Sequence, residues 1–143
     1  MSGVLRRLLS PLVGVPISLP AALLDRFPEL GDARWRRGGL PPRVGGWCLL
    51  QPTVAAITLW RTVYLAPDVE LDPRLLLHEL RHVQQFQGSL WFPVDYILES
   101  LRRGYGRNKY EIAANSYAAH RLRGEPPARS PRGSGATPPL EDV

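Results

Sequence analysis

Two histidines, His78 and His82, stand one helical turn apart with Glu79 directly after the first, in the stretch RLLLHELRHVQQF. On an α-helix the side chains at i and i+4 are neighbours, so both imidazoles can reach one ion at about 2.1 Å. At about 100° per residue Glu79 is offset from His82 by roughly 60°, within reach of a water at that ion without displacing the histidines. The chemistry these types and spacings allow is metal-assisted hydrolysis, with Zn2+ held by His78 and His82 and Glu79 as general base. The plain alternative is a histidine pair with no metal beside a solvated acid. A third protein ligand separates the two readings, because catalytic zinc takes three protein ligands and keeps one position open.

One source of that ligand is excluded directly. The extended motif would put Gly at 85 and His at 88, and the chain has Gln85 and Gly88. The stretch NKYEIAANSYAAHRL offers another. Glu111 falls inside the apolar arc of that helix, among Ile112, Ala114, Ala118, Ala119 and Leu122. A carboxylate buried there unpaired would be costly, and a metal would remove the cost. The alternative for Glu111 is an acid in a first helical turn, favoured by the helix dipole. Asn115, one turn further on the same face, is positioned to hydrogen-bond a ligand histidine. His120 points to the other side and reads as a surface residue. Tyr105, Tyr110 and Tyr117 could each donate to a developing oxyanion, although tyrosines on such helices more often pack. Cys48 reads as a small buried hydrophobe rather than a reversible fourth ligand.

The elements that must carry these residues can be read from periodicity and punctuation. Asp72 as N-cap and Pro73 as first helical residue open a helix that closes at Gly88. On its wheel Leu75, Leu76, Leu80, Val83 and Phe86 fill one arc, Arg74, Leu77, Arg81, Gln84 and Gln85 fill the other, and the histidines sit at the border. A second helix is expected over Val94 to Arg103 and a third from near Asn108 to about Arg123. Upstream, WCLL at 47 to 50 and VAAITLWRTVYLA at 54 to 66 read as a short and a longer strand, the second alternating Ile57, Leu59, Arg61, Val63, Leu65 against Thr58, Trp60, Thr62, Tyr64. Residues 25 to 46, rich in Pro and Gly, should be mostly loop with one helical turn. The expected fold is therefore α+β and mostly helical, a small sheet of about two or three strands packed on the histidine helix and a second ligand-bearing helix. It is organised as an apolar arm and irregular region (1–46), a metal-binding domain (47–123) and a Pro, Gly and Ser rich disordered tail (124–143).

A chain of 143 residues is one domain's worth. Its single cysteine excludes an intramolecular disulfide and a Cys-rich structural zinc site. The net charge of +5 comes from arginines spread along the chain, with Lys109 the only lysine, and no aromatic-interleaved basic motif points to a specific nucleic acid. Residues 8 to 24 are uncharged and follow Arg6 and Arg7, but Pro11, Pro16 and Pro20 argue against a simple spanning helix. They read as an irregular arm on the domain, with peripheral membrane contact through residues 4–24 or a cleaved export signal as alternatives. The compartment is left open between bacterial cytoplasm, membrane surface and export.

LLLHELRHVQQF together with YEIAANSYA resembles the zincin metallopeptidases of the gluzincin type, and in particular small bacterial zincin-like domains in which the motif continues as His-Val-x-Gln. The likeness covers about residues 53 to 123. It implies zinc held by His78, His82 and Glu111, water activated by Glu79, and a peptide or protein substrate. Where the family often has an acid four residues after the ligand glutamate, this chain has Asn115. The reading from another class is a non-catalytic zinc-stabilised interaction domain using the same three ligands.

Overall fold

The computed structural model describes residues 12–42 and 54–126. They form a four-stranded sheet and three longer helices, an α+β arrangement as expected. In chain order the elements are β1 (Val15–Pro16), α1 (Ala21–Arg26), a 3-10 segment (Pro28–Asp32), β2 (Arg34–Arg37), β3 (Ala56–Leu59), β4 (Thr62–Leu65), α2 (Pro73–Gly88), α3 (Phe92–Arg103), a second 3-10 turn (Tyr105–Arg107) and α4 (Lys109–Leu122). The sheet order is β1-β2-β4-β3; β2 and β4 run parallel, and the two outer pairs are antiparallel. No helix among the described residues is long and apolar enough to cross a membrane.

The sheet is larger than the sequence indicates, because residues 25 to 42, the described part of the expected loop, hold helical segments and a strand. Arg34–Arg37 forms an interior strand, with Trp35 opposite Val63 and its indole N–H donating to the Leu30 carbonyl at 2.9 Å. Three arginines in four residues hide this strand from any hydrophobicity pattern. Arg36 and Arg37 instead spend their guanidinium groups on main-chain carbonyls, those of Val13 and Gly14 for Arg36 and of Ala66, Pro67 and Val69 for Arg37. Such side chains cover backbone acceptors at the ends of the sheet while leaving their charge near water. Gly14 and Gly39 let the chain double back beside β2: at Gly14, with φ at 65°, a Cβ would lie 2.6 Å from the Gly38 carbonyl oxygen.

The expected strand over 54 to 66 is a hairpin, broken at Trp60 and Arg61. The break inverts the parity of one arm. In a continuous strand Thr58 would share a face with Thr62 and Tyr64, but across the two-residue turn Thr58 pairs with Val63 and Ile57 with Tyr64. Val63, Leu65 and Thr58 consequently face inward and are buried, while Leu59 is exposed. This change of face brings a hydroxyl into the site described below.

α2 starts as predicted, with the Asp72 carboxylate accepting from the Arg74 amide and Pro73 at the first position. Leu76, Leu80 and Val83 are buried as expected, but so is Leu77, which the wheel groups with charged neighbours. The sheet and α4 both pack on α2, so the helix is enclosed on more than one side and the core reaches round it. Phe27, Leu30, Trp35, Tyr117 and Ala118 complete that core, and the buried Arg121 pairs with Glu29 to tie α4 to the first 3-10 segment. α3 begins two residues before the expected Val94, with Pro93 in its first turn, and ends at Gly104 with φ at 78°.

Of the apolar arm, residues 12–24 fall within the described part. Ile17 and Leu19 pack on the core, and Leu12, Val13 and Val15 are exposed. Residues 4–11, the expected strand at 47–50 with Cys48, and the tail from 127 onward lie outside the described residues.

Candidate metal centre

α2 presents His78 and His82 toward α4, and α4 returns Glu111. The Glu111 carboxylate divides its oxygens: Oε2 lies 3.2 Å from His78 Nε2 and Oε1 lies 3.1 Å from His82 Nε2. The two imidazole Nε2 atoms are themselves 3.1 Å apart. The three donor groups lie within 4.8 Å of one another and are buried or nearly so.

Each histidine is held from behind. His78 Nδ1 is 3.1 Å from the Asn115 side-chain oxygen, and His82 Nδ1 is 2.8 Å from the Gln85 side-chain oxygen. An amide oxygen can only accept, so each contact calls for Nδ1–H and turns Nε2 toward the other donors, as a lone pair for a metal or, in a protonated ring, as a donor to Glu111. Gln85 is in turn anchored by donating to the Tyr110 carbonyl at 3.2 Å. This is the arrangement by which outer partners fix ring orientation and basicity in a metal site. Asn115 is where the sequence reading puts it. Gln85 is an addition; its position tells against the three-histidine motif, and its side chain serves His82.

Glu111 owes its position to the start of α4. Asn108, wholly buried, caps that helix by accepting from the Tyr110 amide at 2.9 Å, and its amide donates to the Tyr96 carbonyl and Ser100 hydroxyl of α3. Three residues after the cap, Glu111 lies in the first turn, where the helix dipole favours a carboxylate. The Tyr96 hydroxyl donates to Glu111 Oε1 at 2.7 Å. Burial would raise the Glu111 pKa, but hydrogen bonding to His78 and His82, the His82 charge and Tyr96 hold it far below the carboxylate range. His82 is pulled down by burial and more strongly up by Glu111 and Glu79, so its pKa is raised. Burial and the same carboxylate raise the phenols of Tyr96 and Tyr105. Both therefore stay protonated donors at neutral pH.

Among the tyrosines singled out from sequence, Tyr105 comes close to Glu111. Tyr117 lies in the core, and the Tyr110 hydroxyl turns to Asp95 at 3.5 Å. Tyr96 is the residue the sequence reading missed; its signal is the spacing Phe92, Tyr96, Glu99, which marks the inward face of α3. His120 is exposed and pairs with Glu125 at 2.8 Å.

Glu79 is buried on α2 and points to the sheet side, where the Thr58 hydroxyl donates to its Oε2 at 2.7 Å. The carboxylate is thus restrained in place on the helix that carries the histidine pair. A separate cavity of about 400 Å³, bordered by Ile17, Leu24, Trp35 and Arg36, contains none of these residues.

No family model, curated protein or solved structure matches this chain. What can be said of the site therefore comes from its own chemistry. Two neutral imidazoles and one carboxylate, converging from two helices with their rear atoms satisfied, can hold a metal ion among the described residues. The donor set mixes imidazole nitrogen with carboxylate oxygen, a combination that divalent ions of borderline character take together. A hard ion such as Mg2+ would ask for more oxygen.

Proposed function

We propose that this protein is a zinc-dependent hydrolase of peptide bonds, with His78, His82 and Glu111 as ligands and Glu79 as general base. The observation that carries the reading is the buried Glu79 carboxylate, fixed by Thr58 on the same helix that supplies two members of the His-His-Glu group. This is the constellation for which the sequence resembles gluzincin-type metallopeptidases. Zinc, when bound, supplies Lewis acidity that polarises a carbonyl and lowers the pKa of water toward about 7. Glu79 takes the proton from the attacking water and hands it to the leaving amine, a transfer that requires a carboxylate free to ionise and restrained in direction. Thr58 provides the restraint through one oxygen and leaves the other for the proton. Tyr96 and Asn115 hold Glu111 and His78 in orientation.

β3 supports a peptide substrate. Among the described residues it is an outer strand of the sheet, Thr58 joins it to Glu79, and an extended peptide can add to such an edge through main-chain hydrogen bonds. The test is Glu79→Gln, which keeps the side-chain shape and removes the base. Retained zinc with peptide hydrolysis reduced by about 10²-fold or more is expected. Unchanged hydrolysis with zinc retained would refute the assigned base, whereas a zinc-loaded wild type that hydrolyses no peptide and unfolds on chelation would favour the alternative, a zinc-stabilised interaction domain in which Glu79 serves packing through Thr58.

A further inference from the structure

α3 is apolar on two sides. Phe92 and Tyr96 turn inward, the former packing edge-on against Phe86 with ring centroids 4.7 Å apart, the latter bonded to Glu111. The opposite side carries Val94, Ile97, Leu98 and Leu101, the spacing of a continuous helical stripe. Among the described residues nothing covers it: Ile97 is 58% and Leu101 78% exposed, and just before the helix Leu90 is 91% and Trp91 71% exposed. An apolar patch this continuous on a small domain marks a contact surface.

The charges bordering the stripe say what the contact is. Asp95 and Arg102 stand seven residues apart and so on the same edge, next to Leu98, one near each end of the helix. Among the described residues neither has a strong partner. Asp95 meets only the Tyr110 hydroxyl at 3.5 Å, and Arg102 makes no ion pair among the described residues. Two copies of α3 laid antiparallel about a two-fold axis near Leu98 bring each Asp95 against the other copy's Arg102, twice over, while the apolar residues interlock between them. In a parallel arrangement about a two-fold axis the edges that carry these charges fall on opposite sides of the pair, so neither ion pair forms. A surface complementary to itself in this way is what an isologous dimer requires. An anionic bilayer is the rival occupant, drawn by Arg102, Arg107 and Lys109, but it would meet Asp95 with like charge and would have only a helix of 12 residues to hold.

We propose that the outer face of α3 pairs antiparallel with α3 of a second copy of this chain. The inference is independent of the metal, and its failure would leave the proposed hydrolase untouched. The test is sedimentation velocity on the full 143-residue chain across concentration. A dimer with a roughly micromolar dissociation constant is expected, as suits a small interface. Leu98→Glu and Leu101→Glu should be monomeric, with a circular dichroism spectrum and dilute-solution melting curve like those of wild type. Asp95→Arg and Arg102→Asp should each weaken the dimer by about tenfold, and the combined reversal should recover most of that loss. The recovery separates charge pairing from any loss of helix stability, because the combined variant carries the same Arg at the start of α3.

A wild type that stays monomeric to several hundred micromolar overturns the proposal, and so does a dimer indifferent to Leu98→Glu. A combined reversal no tighter than the single variants overturns the antiparallel register. Binding of a monomeric wild type to phosphatidylglycerol vesicles, lost in Leu101→Glu, gives the face to the membrane instead and equally overturns it.

Discussion

Replacing Glu111 with alanine separates the metal reading from every reading without a metal. In the metal-free protein the substitution removes three contacts at once, those to His78, His82 and the Tyr96 hydroxyl. It leaves His82, only 8% exposed, without the carboxylate that favours its charged form. Stripping one partner from a buried charged pair costs about 3–5 kcal/mol. At about 4–8 °C per kcal/mol for a domain near this size, the metal-free melting midpoint should fall by well over 10 °C at pH 6. Zinc then acts differently on the two proteins. At a thousandfold excess over its dissociation constant it stabilises wild type by about 4 kcal/mol, and a site reduced to two histidines gains little at the same concentration. The assay is paired thermal melts with chelator and with zinc, accompanied by metal analysis of the purified proteins. Equal zinc content, or an equal zinc-induced shift in Glu111→Ala and wild type, would refute the assignment of Glu111 as ligand.

The pH dependence of the same site has a fixed sign. His82 has a raised pKa, so its contribution to metal-free stability is complete below the ordinary value of 6.5 and is lost as pH rises through the higher folded value. Glu111 is depressed, so its contribution is present above the ordinary value of 4.5 and is lost only as the pH falls far below it. Zinc must displace the His82 proton, so chelator competition should give an affinity that rises about tenfold per pH unit below the His82 pKa and flattens above it. Tyr96→Phe removes a charge-assisted donor and should lower zinc affinity by about 10-fold while sparing the fold, read by the same competition. Thr58→Val should lower hydrolysis with zinc content unchanged, and Thr58→Ser should restore most of it; equal activity of the two would show that the hydroxyl does not position Glu79. Leu80→Ala, at a fully buried position of α2, should cost about 2–5 kcal/mol in denaturant unfolding.

The grouping of His78, His82 and Glu111 is legible because helical spacing is rigid. His78, Glu79 and His82 lie on one helix whose cap, Asp72-Pro73, is written in the sequence, and Glu111 is conspicuous as an acid among alanines. Legibility fails where tertiary pairing decides. Nothing local distinguishes Arg34–Arg37 as an interior strand, since its arginines satisfy backbone carbonyls brought from distant segments. The alternation groups Thr58 with Thr62 and Tyr64, but two residues, Trp60 and Arg61, turn the chain and pair Thr58 with Val63 instead. Tyr96 was passed over because α3 was read from Val94 onward, and the inward face only becomes apparent once Phe92 is counted in the helix.

The donor set is split between helices that leave the ribosome at different times, and this sets an order of events during synthesis. The sheet, the first 3-10 segment and α2 are complete before α4 has been made, so the two histidines are available early and can hold an ion only weakly and without selection. Glu111 arrives with the helix that also brings Tyr117 and Ala118 into the core and Arg121 to Glu29. Closure of the core and completion of the ligand set are therefore one step, and the site acquires its full affinity only when the last described helix docks. On the metal reading, a nascent chain paused before Glu111 should exchange an ion freely, whereas the finished domain should hold it more tightly.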